Sequence, residues 1–529
     1  MPTPFLSSEE YDERAHQLYN EGQYDEALDV LREGLTLYPN AVELHIGVGY
    51  ARLARDEFAW ARRSFEEALI LDPEHEDALA GLGETLLKFG RAEAAVKSFR
   101  RVLELDSTYS LAYEHIGAML TDASVATATY ALVRPDSIAL RPRPSTRTST
   151  GGGGHDSGSV QLARREAVNL AHAWTRVQPN TPRAHYHLYK AYLASGRAQD
   201  ARQTLAQLRS LYPDSLQPFF GLLEARAQFV EGNVLGAARK IRSVLSQVRP
   251  LLFRQLYFAP EPLIDAMTGV DALGYYGDLQ GATQLIRLGR GLYEQRIEAS
   301  DSADRAQWDE IWELSRLAQL QGAAGSQPNR LKSIWERGLT LAKNVLPESR
   351  PKVAGYFAPA AVGLLVGPGG DATAVNQLES LTGKQNPPAV KALIAIRRGD
   401  TASARAWLLQ VGNSRVADSS LNWPGGDQRP LAAEAHFELG DYTNVVQVLA
   451  DFQPESFSNR GFDPRWVLLP RVRLLRAAAL ERLHRADQAA AEYQAVNDQW
   501  GGADPELLPA VQRARQGLAR LEGAVESHS

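Results

Sequence analysis

The 529-residue chain contains no cysteine and only 3 methionines. Without cysteine there is no disulfide framework and no thiolate metal site, although compartment stays open on that count. Long apolar runs are missing too. The most apolar stretch, 353–366, is short and interrupted by Gly and Pro, so no membrane insertion is expected. The opening residues MPTPFLSSEEYDERAHQL have neither a basic n-region nor an apolar h-region, so no secretion signal is expected and the chain is read as cytoplasmic. Basic charge is not in excess: 57 Lys+Arg stand against 63 Asp+Glu, a net of −6. That balance argues against nucleic acid as the partner.

Catalytic signatures are also missing. There is no H-E-x-x-H, no G-x-S-x-G and no kinase set. GHDSG at 154–158 resembles the surroundings of a serine-protease nucleophile, but it follows a tetraglycine with no rigid scaffold to fix a base. GPGGD at 367–371 lacks the lysine and hydroxyl residue of a phosphate-binding loop. His185 and His187 are two apart and point in different directions on a helix, so with His172 they make a poor metal site. Glu9-Glu10 and Glu66-Glu67 read as solvated helix faces, as does the basic cluster Arg239, Lys240 and Arg242. Trp308, Trp312 and Trp335 read as core rather than a ligand cage. No metal, no cofactor and no enzymatic activity are expected.

What the chain does have is a period of 34. Ala27, Ala61 and Ala95 fall in register, as do Leu31, Phe65 and Phe99, and Gly49, Gly83 and Gly117. Pro39 and Pro73 repeat, with Ser107 in the third place. The small residues let two antiparallel helices approach closely, and the large one fills the gap toward the next unit. Gly22, Gly90 and Gly196 suit the turn between paired helices, and the proline stops the second helix. Leu79, Leu82, Leu86 and Leu87 follow the three-and-four spacing of a helix face.

This pattern resembles the tetratricopeptide repeat family, helix–turn–helix units of about 34 residues. The matching residues include Gly49, Tyr50, Ala61, Phe65, Ala68, Pro73, Leu82, Gly83, Ala95 and Phe99. The resemblance implies an all-α fold: a right-handed superhelical solenoid of antiparallel helix-turn-helix repeats, with one flexible insertion. The expected domains are a regular array at 1–122, a Gly/Ser/Pro/Arg-rich segment at 123–160, and continuing repeats at 161–249. Divergent helical repeats follow at 250–500, then a capping helix and tail at 501–529, with Asp504 as N-cap and Pro505 as first helical residue. Looser units centre on 231–245, 276–289, 397–411, 438–452 and 482–496.

Residues 123–160 have two readings. They are a linker between two solenoids, or an insertion in the turn of the fourth repeat; the second is preferred, because Arg164–Val177 looks like a second helix with Ala167, Ala171 and Trp174 inward. TATYALV and SIALRP are possible hairpin strands, and the Arg-Pro run favours extended structure.

Charge is unevenly distributed. Residues 1–122 hold 24 acidic and 11 basic side chains, and the remainder holds 39 and 46. This is either two surfaces of different sign or drift between solvated faces. The resemblance places a groove on the first helix of each unit. It would carry Asp12, His16 and Tyr19, then Glu43, Ile46, Tyr50 and Leu53, then Asp77, Glu84 and Lys88. Glu114 and Asp122 would follow, and then Arg183, Tyr186 and Lys190. Family members that hold acidic chaperone tails use a clamp of basic residues and asparagines there; here the face is mostly Asp, Glu and Tyr. No carboxylate clamp is expected, and the partner is another protein presenting a basic or amphipathic segment. The alternative is a regulatory module controlling a separate enzyme or regulator through a small ligand or peptide. The C-terminal run is similar to helical-repeat regions of bacterial kinases and regulators. An enzyme site hidden in the irregular stretch 250–430 is the least favoured reading.

Overall fold

The computed structural model describes residues 6–125, 157–247, 262–293, 302–366, 370–411, 427–453 and 463–526. Among them every regular element is helical, 26 α-helices with a few short 3-10 turns. The chain forms two compact units: one holds 1–128 and 140–212, the other 129–139 and 213–529.

The first unit runs α1 (Ser8–Asn20), α2 (Tyr24–Leu37), α3 (Val42–Ala54), α4 (Phe58–Leu71) and α5 (Glu76–Lys88). It continues with α6 (Ala92–Leu105), α7 (Ser110–Val125), α8 (Ser157–Val177), α9 (Pro182–Ala194) and α10 (Ala198–Ser210). Consecutive helices pack as hairpins, and each hairpin packs on the next. The turn of the first hairpin needs a left-handed residue, supplied by Gly22 at φ +79°. One period on the same conformation falls on Asp56 at φ 59°, and one further on Gly90 at φ +71°. A Cβ on Gly22 or Gly90 would meet nothing within 4 Å, so backbone conformation, not space, selects glycine there. Pro39 and Pro73 follow the ends of α2 and α4. Where Ser107 replaces the third proline, Asp106 still makes the side-chain turn that Asp72 makes beside Pro73, accepting the Thr108 N–H at 2.7 Å as Asp72 accepts the Glu74 N–H at 3.1 Å.

The interior of the first unit is a chain of small overlapping cores. Phe65 of α4 is fully buried, and its ring end lies between Gly49 of α3 and Gly81 of α5. Phe99 is met in the same way by Gly83. α7 and α8 also form a hairpin. Tyr113 stacks on Trp174 at 5.2 Å and 7°, and Gln178 accepts from Ser110 (3.0 Å) and Trp174 Nε1 (2.8 Å). Ala167, Ala171 and Trp174 point inward. The strand and Arg-Pro readings for 126–156 lie outside the described residues.

The second unit starts with α11 (Gln217–Val230), α12 (Val234–Leu245), α13 (Pro262–Tyr275), α14 (Leu279–Tyr293), α15 (Ser302–Ala324) and α16 (Pro328–Asn344). Then come α17 (Arg350–Gly355), α18 (Ala358–Leu365), α19 (Thr373–Thr382), α20 (Pro388–Arg397), α21 (Thr401–Val411) and α22 (Arg429–Glu438). It ends with α23 (Tyr442–Val448), α24 (Arg465–Arg482), α25 (Ala486–Trp500) and α26 (Leu508–Glu526). The five looser stretches are all hairpin turns: each carries a left-handed residue, Gly232, Gly277, Gly399, Gly440 or His484. Only the diagnostic side chains have drifted.

This unit also has contacts that a nearest-neighbour stack lacks. α24 packs on α13 and α15, and the Asp463 N–H donates to Asp271 Oδ2 at 2.5 Å across 192 residues of sequence. Arg226 and Asp265 form a buried two-pronged ion pair, both bonds at 2.8 Å. Trp500, fully buried, donates to the Tyr275 carbonyl at 3.1 Å.

Asp504 holds the N-cap position of the 3-10 turn Pro505–Leu507, with Pro505 first, but its side chain makes no cap bond there. Its Oδ2 instead accepts the Gln280 N–H at 2.8 Å, in the first turn of α14. The loop after α25 is pressed against the α13–α14 turn, where the Asp504 N–H also donates to the Gly277 carbonyl at 2.9 Å. The unpaired N–H groups of α14 therefore take the carboxylate. The helix itself ends at Glu526 within the described residues.

Candidate functional site

In the first unit, α1 touches α3, α3 touches α5, and α7 touches α9. The expected groove residues are carried by these first helices, α1, α3, α5, α7 and α9.

At its start an open cleft of about 560 Å³ runs along α1, lined by Asp12, Glu13, His16, Gln17, Asn20 and Glu21. Its three carboxylates face no Lys or Arg in the lining. Burial pushes the Asp12 carboxyl up, His16 opposes this, and the neighbouring charge of Glu43 adds to it. Repulsion between Asp12 and Glu43 shows the two acids sharing one patch from α1 and α3.

Next comes a polar–aromatic recess. Tyr50 of α3 donates to the Asp77 carbonyl at 3.3 Å, and Tyr109, just before α7, donates to Asp77 Oδ1 at 2.6 Å. Glu84 of α5 is close enough to Tyr19, Tyr50 and Tyr109 for its charge to raise the pKa of all three phenols, after burial as the first cause. Burial pushes the Glu84 carboxyl itself up to about 7, with Lys88 opposing. Lys88, one turn further along α5, lies 5.8 Å over the Phe58 ring. Leu53 is half-buried beside this recess. Ile46 is different: it is buried at 8% exposure with Ala61, Phe65, Ala68 and Ala78, and offers little open surface.

Beyond α5 the face neutralises itself. Glu114 of α7 pairs with Arg183 of α9 at 2.8 Å, and Lys190 lies 5.0 Å over Tyr186. Asp122 is in α7, but its side chain lies outside the described residues. Among the described residues the unbalanced carboxylates are those of α1, α3 and α5. Tyr109 and His115 belong to this surface and were not among the expected residues. Tyr109 sits in the loop before a helix, and His115 reaches Glu84 at 3.9 Å from a helix position where the earlier repeats carry Gly47 and Gly81.

The other candidates resolve as structure. His172 bonds the Tyr192 hydroxyl at 2.6 Å, and His185 the Pro179 carbonyl at 2.7 Å. His187 packs on Trp174 at 5.2 Å, and burial drops its pKa to about 3. Trp312 and Trp335 are buried, and Trp308 packs on the core around them. Among the described residues no group of three or more His, Cys, Asp or Glu side chains is placed to hold a metal ion. Among them also, no helix is long and apolar enough to cross a membrane. The first three residues of GHDSG and of GPGGD, and the irregular stretches 250–261 and 413–426, lie outside the described residues.

Comparison with known proteins agrees with the repeat. Tetratricopeptide repeat family models match residues 8–53, 49–110 and 184–215. No curated protein matches in sequence. Similar solved structures include the C-terminal part of a TPR repeat-containing protein from Cytophaga hutchinsonii, at 14% identity, covering 55% of this chain and 97% of that one, TM-score 0.36. Another is pilF of Pseudomonas aeruginosa, at 16% identity, 47% and 91% coverage, TM-score 0.33. A third is YrrB, described as a TPR protein with an unusual peptide-binding site, at 20% identity, 39% and 86% coverage, TM-score 0.27. With the 34-residue register, the hairpin turns and the glycine–aromatic packing, the family models identify residues 8–110 and 184–215 as tetratricopeptide repeats.

Proposed function

We propose that the chain is a non-catalytic scaffold that holds a basic or amphipathic segment of another protein against the face made by α1, α3 and α5. The observation that carries this is a set of carboxylates on that face, Asp12, Glu43 and Glu84, that pair with no Lys or Arg among the described residues, next to half-buried tyrosine rings. Stacked hairpins supply an extended binding surface, and unpaired carboxylates favour a cationic segment over an anionic tail. A clamp for a terminal carboxylate would need basic side chains there. Lys88 is turned onto Phe58, and Arg183 is neutralised by Glu114.

The test is an affinity pull-down from native lysate at low and high salt, using the wild-type chain and Asp77→Lys with Glu84→Lys. The expected result is a protein partner that weakens with salt and is lost in the double variant. A partner retained equally by both would overturn the reading.

A further inference from the structure

Glu84 stands out from the other acids of this face. Asp77 is satisfied by the Tyr109 hydroxyl, and Glu114 by Arg183. Glu84 is half-buried, with 22% of its side chain exposed. Among the described residues it receives no hydrogen bond, and the single ion-pair contact within 4.0 Å is His115 Nε2 at 3.9 Å. Burial lowers the His115 pKa and so disfavours its charged form, and the ring is already stacked on Phe99 at 4.8 Å. The groups facing Glu84 are Tyr19 from α1, Tyr50 from α3, Tyr109 and His115 from the α7 side, and Lys88 on its own helix. Among the described residues Glu84 is thus a half-buried carboxylate, near enough to three phenols to act on them, that accepts no hydrogen bond and pairs with no Lys or Arg within 4.0 Å.

We propose that this recess is an arginine pocket: a guanidinium from the partner segment pairs with Glu84 and packs on the rings of Tyr19 and Tyr50. The proposal rests on the scaffold reading above and names the side chain that face selects. Three physical points favour arginine. A guanidinium is more weakly hydrated than an ammonium and so enters a half-buried site with less loss. Its flat fork matches a carboxylate with two parallel bonds. Its plane packs on aromatic rings, where the ring quadrupole adds to the attraction. The pocket works only when Glu84 is ionised, so its occupation follows the titration of that carboxyl.

The probes are N-acetyl-arginine methylamide and its lysine and citrulline counterparts, titrated into the full chain and followed by saturation-transfer NMR. Citrulline keeps the shape and removes the charge. The expected result is saturable binding of the arginine probe, several-fold weaker binding of lysine, and about tenfold weaker binding of citrulline, as for loss of one charge-assisted pair. Glu84→Gln reduces arginine binding about tenfold. Arginine affinity rises roughly tenfold between about pH 6 and pH 8 in the wild type, as a carboxyl near 7 ionises, and stays flat in Glu84→Gln. Tyr50→Phe, which keeps the ring, retains binding, and Tyr50→Leu weakens it; thermal unfolding of each variant reports that it is folded. Equal binding of citrulline, equal binding of lysine, or an unchanged pH slope in Glu84→Gln would overturn the pocket. The two proposals fail separately. A protein partner that survives Glu84→Gln but is lost with Asp12→Lys and Glu43→Lys leaves the acidic face standing and removes the arginine pocket.

Discussion

The clamp on Phe65 makes a demanding prediction for Gly49→Ala. A Cβ at position 49 would lie 2.6, 2.7 and 2.9 Å from three atoms of the Phe65 ring. Ordinary contact begins near 3.4 Å, so the ring must retreat by several tenths of an ångström. Its room is limited, because Gly81 of the next hairpin approaches the same three ring atoms. Tyr50 also holds the ring edge-on at 5.0 Å. Two effects compete. Replacing a mid-helix glycine by alanine gains about 1 kcal/mol of helix propensity. Overpacking a confined core loses about 1–3 kcal/mol, and with its room limited the upper part of that range applies. The net expectation is a destabilisation of about 1–2 kcal/mol. It should appear in native-state hydrogen exchange of the α3–α5 amides, since repeat arrays open locally. Phe65→Leu makes room for the new methyl. The double variant should therefore be more stable than the sum of the two singles by at least about 1 kcal/mol. A neutral or stabilising Gly49→Ala, or strict additivity, would refute the clamp.

The remaining predictions use the same variables. The Glu84 carboxyl has a folded pKa raised from 4.5 to about 7, so the native state holds the proton over a range where the unfolded chain has lost it. Stability therefore falls as pH rises between those values, and Glu84→Gln should be more stable than wild type by up to about 3 kcal/mol above pH 7, with little difference below about pH 4.5, in denaturant unfolding across pH. Arg226→Met alone should destabilise by about 3–5 kcal/mol by leaving Asp265 buried and unpaired; adding Asp265→Leu should recover most of it in thermal unfolding. Asp504→Ala should lower stability by about 1 kcal/mol, the worth of a helix cap, and the faster hydrogen exchange should appear at the start of α14, not of α26. Asp56→Gly should stabilise by about 1 kcal/mol in thermal unfolding, by relieving a left-handed non-glycine residue.

Much of the molecule could be read before any coordinates, because a repeat makes local and tertiary requirements coincide. Gly49, Phe65, Ala61 and Pro73 each recur for a reason visible within one hairpin: close approach, gap filling, or a helix stop. The acidity of 1–122 was legible from composition, while the groove positions came from the family resemblance and not from spacing. Other features depended on distance in space. Whether a carboxylate on that face is free is decided by its neighbours, and no spacing rule shows that Arg183 neutralises Glu114 while Lys88 turns away from Glu84. Tyr109 and His115 reached the recess only through the stacking of α7 on α6. Asp504 carries a cap residue's identity, but the helix it caps was chosen by the packing of α24–α26 onto α13–α15. Contacts such as Asp271 with Asp463 join segments 192 residues apart, and a period of 34 carries no information about them. The sequence alone determined the hairpin, its turn and its stacking surface, because those are short-range requirements. Tertiary structure alone decided which charges stay unpaired and where the second unit closes, because both depend on which remote side chains arrive together.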